Sequence, residues 1–271
     1  MQRLKVVTLN IWHRENAWEA RREVIRRGLG DLSPDLVGLQ EVLELSHGGS
    51  KRNQAEELAE GLGYESIYGT AQTLGPGLDF GNALLSKHPI VAHEVLALPG
   101  AETGETRSVL YVRVATPWAE IPVFVTHLNW KLHHGSVRIA QLRAVIDFIE
   151  QKAPVARSHP PILMGDLNAE PESDEIRWLR GFATLDQRSI FMADAWAYGG
   201  DGGPGFTFDR RNPNAARSHE PPRRIDYIFV RGPDAQWLGE PLHTRVVFDA
   251  PEGDVWASDH FGLYSEISVA K

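Results

Sequence analysis

Ile162-Leu163-Met164-Gly165-Asp166-Leu167-Asn168-Ala169-Glu170-Pro171 joins a short apolar run to two polar residues two positions apart. Ile162 to Met164 reads as a buried strand. In an extended segment alternate side chains point the same way, so Asp166 and Asn168 share a side directly after that strand. Either they build an Asx turn, or a scaffold presents them to a site. Three other stretches repeat the arrangement. Thr8-Leu9-Asn10-Ile11-Trp12 ends an N-terminal strand on Asn10, Leu39-Gln40-Glu41-Val42 ends a second on an acid, and Ser258-Asp259-His260-Phe261-Gly262 precedes the last one. Each alone can be a turn cap or a salt-bridge partner; the ordered set has no such ordinary explanation.

Between these clusters, strand-like and helix-like segments alternate. Strands are expected at Leu4–Asn10 and Leu36–Leu39, with a helix over Trp18–Leu29 started by Asn16 and Glu19. Gln54–Leu62 has helical spacing and stops at Gly61 and Gly63. From Ala83 to Leu128 the pattern is β: Ala83–Leu85, Ile90–Leu98, Ser108–Ala115 and Val123–Leu128. Ile139, Leu142, Val145, Ile146 and Ile149 then form one helical stripe. A short helix over Glu172–Leu179 follows Pro171, and Ile225–Val230, Thr244–Phe248 and Leu263–Val269 are β-like. Consecutive strands with helices between some of them predict two sheets packed face to face with helices outside. No linker or repeat divides the chain, so residues 1–271 are expected to form one domain.

The 271 residues can bury a sizeable core, and 42% hydrophobic with 24% charged residues is globular rather than disordered composition. There is no Cys, which excludes disulfides and thiolate metal sites and fits a reducing, cytoplasmic setting. No apolar run is long enough to span a membrane. A net charge of −8 argues against a broad basic footprint for duplex nucleic acid, though a local basic patch can suffice for a nuclease.

In chain order, Asn10, Gln40-Glu41, Thr126-His127-Leu128-Asn129, Gly165-Asp166-Leu167-Asn168, Arg224-Ile225-Asp226-Tyr227 and Ser258-Asp259-His260 resemble the motifs of the endonuclease/exonuclease/phosphatase superfamily. Gly81-Asn82-Ala83-Leu84-Leu85-Ser86-Lys87-His88-Pro89-Ile90 is similar to a stretch of its sphingomyelinase and bacterial nuclease branch. The resemblance runs from about residue 4 to 269 and implies an α/β fold, a four-layer α/β/β/α sandwich. It also implies Mg²⁺ or Mn²⁺, bound by Glu41 with Asn10 and Asp259, since hard cations prefer oxygen ligands. The implied roles continue through the motifs: Asp166 orients or deprotonates water, and Asn168 contacts the phosphate. Asp226 pairs with His260, which is either general base or cationic phosphate contact. His127 touches the phosphate from the other side and can protonate the leaving oxygen, while Arg107, Asn129 and Arg224 bind substrate.

That chemistry serves many phosphoesters, so the surroundings must choose between nucleic acid and a lipid or small-molecule phosphate. Trp12 and Trp130 either stack bases at the rim or sit in the core. The segment Gly69–Gly81, with Leu74, Pro76, Leu78 and Phe80, reads as an apolar loop, and His133-His134 as a solvated loop or a second substrate contact. Gly199–Pro222 is a long irregular stretch whose Arg210, Arg211 and Arg217 suit a polyanion, as a solvated or a functional loop. Gln40-Glu41-Val42-Leu43 departs from the Gln-Glu-Thr-Lys of abasic-site endonucleases. The expected activity is a phosphodiesterase with nuclease-type chemistry; the alternatives are a lipid or small-molecule phosphoesterase and a catalytically silent binding module.

Overall fold

Val6 and Val7 point to opposite faces of the first strand, and both are fully buried. A strand with no solvent face needs cover on both sides. In the computed structural model, which describes residues 2–155 and 158–270, the chain opens with β1 (Gln2–Asn10), α1 (Trp18–Leu32), β2 (Leu36–His47), β3 (Ser50–Asn53) and α2 (Gln54–Ala59). A run of strands follows: β4 (Glu65–Gly75), β5 (Leu78–Ser86), β6 (Ile90–Leu98), β7 (Arg107–Ala115) and β8 (Glu120–His127). Then come α3 (Gly135–Lys152), β9 (Ile162–Asp166), α4 (Asp174–Leu179), β10 (Ala193–Asp194) and α5 (Ala195–Gly199). The chain closes with β11 (Asp226–Val230), β12 (Pro241–Val247) and β13 (Gly262–Ala270).

The strands form two sheets. One has the order β12-β13-β1-β2-β5-β4, with β3 on β2; the other has the order β10-β11-β9-β8-β7-β6. Both are mixed: β1 runs parallel to β2 and β8 parallel to β9. Between the sheets lies a layer that includes Leu4, Val6, Leu84, Val112, Val125, Met164, Ile228 and Leu263. Outside the first sheet, Val7, Leu9, Val37 and Leu39 pack on Trp18, Ile25 and Leu29 of α1 and Leu58 of α2. Outside the second, Phe124, Leu163 and Tyr227 pack on Leu142, Val145 and Phe148 of α3 and Trp178 of α4. This is the expected four-layer α/β/β/α sandwich. Gly38 permits the close approach of the sheets, since a Cβ there would lie 2.5 Å from Met164 Sδ.

Local expectations fail where burial stops guiding the pattern. Beyond Leu39, β2 runs on to His47 as a largely polar arm paired with β3. The expected apolar loop Gly69–Gly81 is a hairpin of β4 and β5, with Leu74 half-exposed near its tip. Helix α1 has no cap from Asn16: Ala17 holds the cap position at φ 53, and the Asn16 amide donates to Asn214 Oδ1 at 3.0 Å. A capping box does exist, at Asn53 and Glu56 of α2. Among the described residues no helix is long and apolar enough to cross a membrane.

Candidate active site

Asn10, His127 and Asp166 each end a central strand, and Glu41 stands in a bulge midway along β2 at the same rim. Parallel pairing sets Asn10 opposite Gln40 and His127 opposite Asp166, while β11 sets Asp226 opposite Asp166. Two backbone devices aim the side chains. The register of β2 on β5 shifts between Leu39 and Val42, and Glu41 within that irregularity has φ 60. A bulge of this kind turns a side chain out of the sheet's alternation, here toward the cleft. Gly165 has φ 147, and a Cβ on it would lie 1.9 Å from Thr126 O. Only Gly fits beside β8 there, so Gly165→Ala is expected to cost on the order of 2–4 kcal/mol. A thermal melt checks it; an unchanged melting temperature contradicts the reading.

The pocket at this rim has a volume of about 190 Å³, and its lining includes Glu41, Arg107, His127, Asp166, Asn168 and His260. Asn10 Nδ2 donates to Glu41 Oε1 at 3.2 Å and to Asp166 Oδ2 at 3.1 Å, while Asn10 Oδ1 accepts the Trp12 N–H at 3.0 Å. Asp166 Oδ1 accepts the Asn168 N–H at 2.9 Å. His127 Nε2 and His260 Nε2 flank Asp166 Oδ2 at 3.5 and 3.8 Å. On its far side His260 Nδ1 lies 2.9 Å from Asp226 Oδ2.

These contacts set the charges. Burial alone would lower the His260 pKa, but Asp226, Asp259 and Asp166 outweigh it and hold the imidazolium well above the usual range. His127 is pushed well below it, by burial first and then by Arg107 and His260. Burial, with Asp259 adding repulsion, raises the Glu41 carboxyl to about 7. A buried acid whose ionisation Asp259 further opposes suits a divalent cation, and oxygen donors suit Mg²⁺ or Mn²⁺. Among the described residues, one group of three metal-ligating types lies within 4.8 Å: Asp166, Asp226 and His260. Its imidazole Nδ1 is engaged with Asp226, which leaves Nε2 of that ring facing Asp166.

Two expected substrate residues face elsewhere. Arg224 forms a bidentate pair with Asp194 at 3.0 and 2.9 Å and packs on Tyr227. In this extended segment its neighbours Arg223 and Ile225 line the pocket, so alternation carries Arg224 to the opposite side. Asn129 is fully buried and braces its own loop, donating to Thr103 Oγ1 and accepting from the Lys131 N–H. His134 is tied to Asn129 at 3.0 Å. Asn10 reaches the site: its Oδ1 accepts the Trp12 N–H, and that oxygen keeps a second lone pair.

The irregular Gly199–Pro222 stretch clamps the site. Thr207 Oγ1 accepts the Ile225 and Asp226 N–H groups, both at 3.1 Å, and Thr207 O accepts the Phe261 N–H. Asn212 Nδ2 donates to Ser258 O at 2.7 Å, and the Phe208 ring packs against that of His260, centroids 5.0 Å apart and tilted by 57°. No hydrophobic period marks these residues; only the unusual loop length pointed to them. Its arginines are less free than expected, because Arg211 pairs with Asp209. Trp130 stands exposed at the rim, while Trp12 is half-buried between Arg21 and Arg217.

The sequence profile of the Endonuclease/Exonuclease/phosphatase family matches residues 7–260. The chain belongs to this family. Every motif residue in the pocket falls inside the matched span. Similar solved structures include an endonuclease/exonuclease/phosphatase from Beutenbergia cavernae DSM 12333, 26% identical, covering all of this chain and 72% of that one at a TM-score of 0.77. The family enzyme from Bacteroides vulgatus is 18% identical, with full coverage of both chains and a TM-score of 0.75. D. rerio TDP2 complexed with single strand DNA product is 19% identical over 99% of this chain and 100% of that one, also at 0.75. No curated protein sequence matches the chain. As a member of this family the protein is a phosphoester hydrolase.

Proposed function

We propose that residues 1–271 form one catalytic unit, a Mg²⁺- or Mn²⁺-dependent phosphodiesterase with nuclease-type chemistry on single-stranded substrates. The observation that carries this reading is a small pocket where the acids Glu41 and Asp166 converge with His260, favoured as a cation, and His127, favoured as a neutral ring. A pocket of about 190 Å³ takes a phosphoryl group and little more. Glu41 and Asp259 would hold the divalent cation, which would neutralise charge developing on the phosphoryl oxygens. Asp166 orients or deprotonates the attacking water, and Asn10 keeps that carboxylate in place. His260, kept cationic by Asp226, faces the same phosphate with positive charge.

The single-strand preference rests on what borders the pocket. A groove of about 450 Å³ adjoins it, sharing Glu41, Arg107 and Trp130 and adding Leu43, Leu74, Leu78 and Phe80. Exposed aromatic edges stack bases without reading sequence, and the likeness to TDP2 with a single-strand DNA product is consistent with that use. Arg211, Arg223 and Arg224 are paired with acids, which leaves little extended basic surface for a duplex.

The same apolar groove favours a second reading, a lipid or small-molecule phosphoester. A panel with Mg²⁺ and Mn²⁺ separates the two: single-stranded DNA, RNA, plasmid DNA, sphingomyelin, inositol phosphates and bis-p-nitrophenyl phosphate. Single strands and bis-p-nitrophenyl phosphate are expected to turn over faster than plasmid. Turnover confined to sphingomyelin or inositol phosphates overturns the nuclease reading.

A further inference from the structure

The contact between Arg107 and His127 places a proton. Arg107 Nη1 lies 3.1 Å from His127 Nδ1. A guanidinium carries donors only, so Nδ1 must offer its lone pair. The proton of the neutral ring then sits on Nε2, the atom that faces Asp166 Oδ2 across the pocket at 3.5 Å. Arg107 is itself buried, and its second nitrogen is held by Glu105 Oε2 at 3.1 Å. The strands lock the pair in place, because Thr126 Oγ1 donates to Ser108 O at 3.0 Å next to both residues. The charged groups around the ring are Arg107, His260 and Asp166. Burial and the two cations oppose a second proton on it.

We infer that Glu105 and Arg107 are positioning residues that hold His127 as the neutral Nε2–H tautomer. His127 then donates a hydrogen bond to a phosphoryl oxygen and keeps its proton throughout turnover. This rests on the phosphoesterase reading of the pocket. It replaces two sequence-based expectations: His127 is not the acid for the leaving oxygen, and Arg107 acts through His127 rather than by gripping the phosphate. The distinction has a chemical reason. A ring whose Nδ1 is capped by a cation is a weak base, so it serves as a fixed donor and is a poor relay.

Long-range ¹H–¹⁵N NMR on the ¹⁵N-histidine-labelled full chain reads the tautomer directly, with His127→Gln providing the assignment. The expected pattern, from pH 6 to 8, is an unprotonated Nδ1 and a protonated Nε2. Arg107→Met is expected to abolish that pattern and lower kcat on the order of 10²-fold, as for loss of one transition-state donor, with KM little changed. Arg107→Lys, which restores one donor, is expected to recover the tautomer. An imidazolium or an Nδ1–H ring in the wild-type protein overturns the inference, and so does an unchanged pattern in Arg107→Met. Should Arg107→Met not fold, the wild-type spectrum still decides. The spectra are taken on resting protein, so their failure is separate from inactivity across the substrate panel.

Discussion

Asp166→Asn is expected to lower turnover about 10²–10⁴-fold, the usual contribution of a positioned acid or base. The substitution keeps the shape and leaves one oxygen for the Asn168 N–H, but it removes the charge that faces Asn10, His127 and His260. His260→Ala is expected to cost a similar factor and some stability as well. It strands the Asp226 carboxylate, which is fully buried and whose Oδ1 has no partner among the described residues. Breaking a buried pair at one end typically costs about 3–5 kcal/mol. Asp226→Asn acts through His260, so its loss is milder and the double mutant is less damaged than the product of the single effects. The folded His260 pKa lies above its unfolded value, so the cation is complete below pH 6.5 and lost only as pH rises through the folded pKa. Asp226→Asn removes a raising charge and moves the alkaline limb of activity to lower pH. Strictly multiplicative losses or an unmoved limb mean that Asp226 does not work through His260.

Mg²⁺ or Mn²⁺ is expected to raise the melting temperature, and to raise it more at pH 8 than at pH 5. Without a cation, the folded Glu41 carboxyl titrates at about 7, above its unfolded value. The metal-free fold therefore loses stability as pH climbs from about 4.5 through 7, where the unfolded chain ionises more easily. A bound cation removes that cost by giving the Glu41–Asp259 pair its countercharge. At a hundredfold excess over Kd, binding to the folded state alone is worth about 2.7 kcal/mol. For a chain of this length that is about 5–10 °C. Glu41→Gln relieves the repulsion, so it is expected to melt higher than the wild type without metal at pH 8 and to respond little to the cation. A shift that survives Glu41→Gln in full places the cation elsewhere.

The layers were legible because both sheets are buried on two faces. Val6-Val7, Leu84-Leu85 and Leu163-Met164 each put one apolar side chain into each layer, and such runs read plainly as strands. The arms β2–β3 and β4–β5 extend beyond that core, so burial no longer imprints a period, and the second reads as a loop. The site was legible where a residue ends a buried strand, as Asn10, His127 and Asp166 do. Arg224 misled because a single alternation separates it from the pocket, and Arg223, one residue earlier, lines it. Thr207 and Asn212 were invisible because they act through backbone groups of Asp226 and Ser258, a contact between distant segments that leaves no mark in local sequence. The tautomer of His127 likewise depends on which atom meets Arg107, and spacing along the chain does not encode that.

On the proposed function, a cation at Glu41 and Asp259 would drive hydrolysis at one pocket. Hydrolysis of bis-p-nitrophenyl phosphate by rigorously metal-stripped protein, followed by titration with Mg²⁺ and Mn²⁺, tests this most directly. The expected result is no activity without metal, full recovery on addition of either ion, and a higher half-saturating concentration in Glu41→Gln. Full activity of the stripped protein, or identical titrations for wild type and Glu41→Gln, contradicts it.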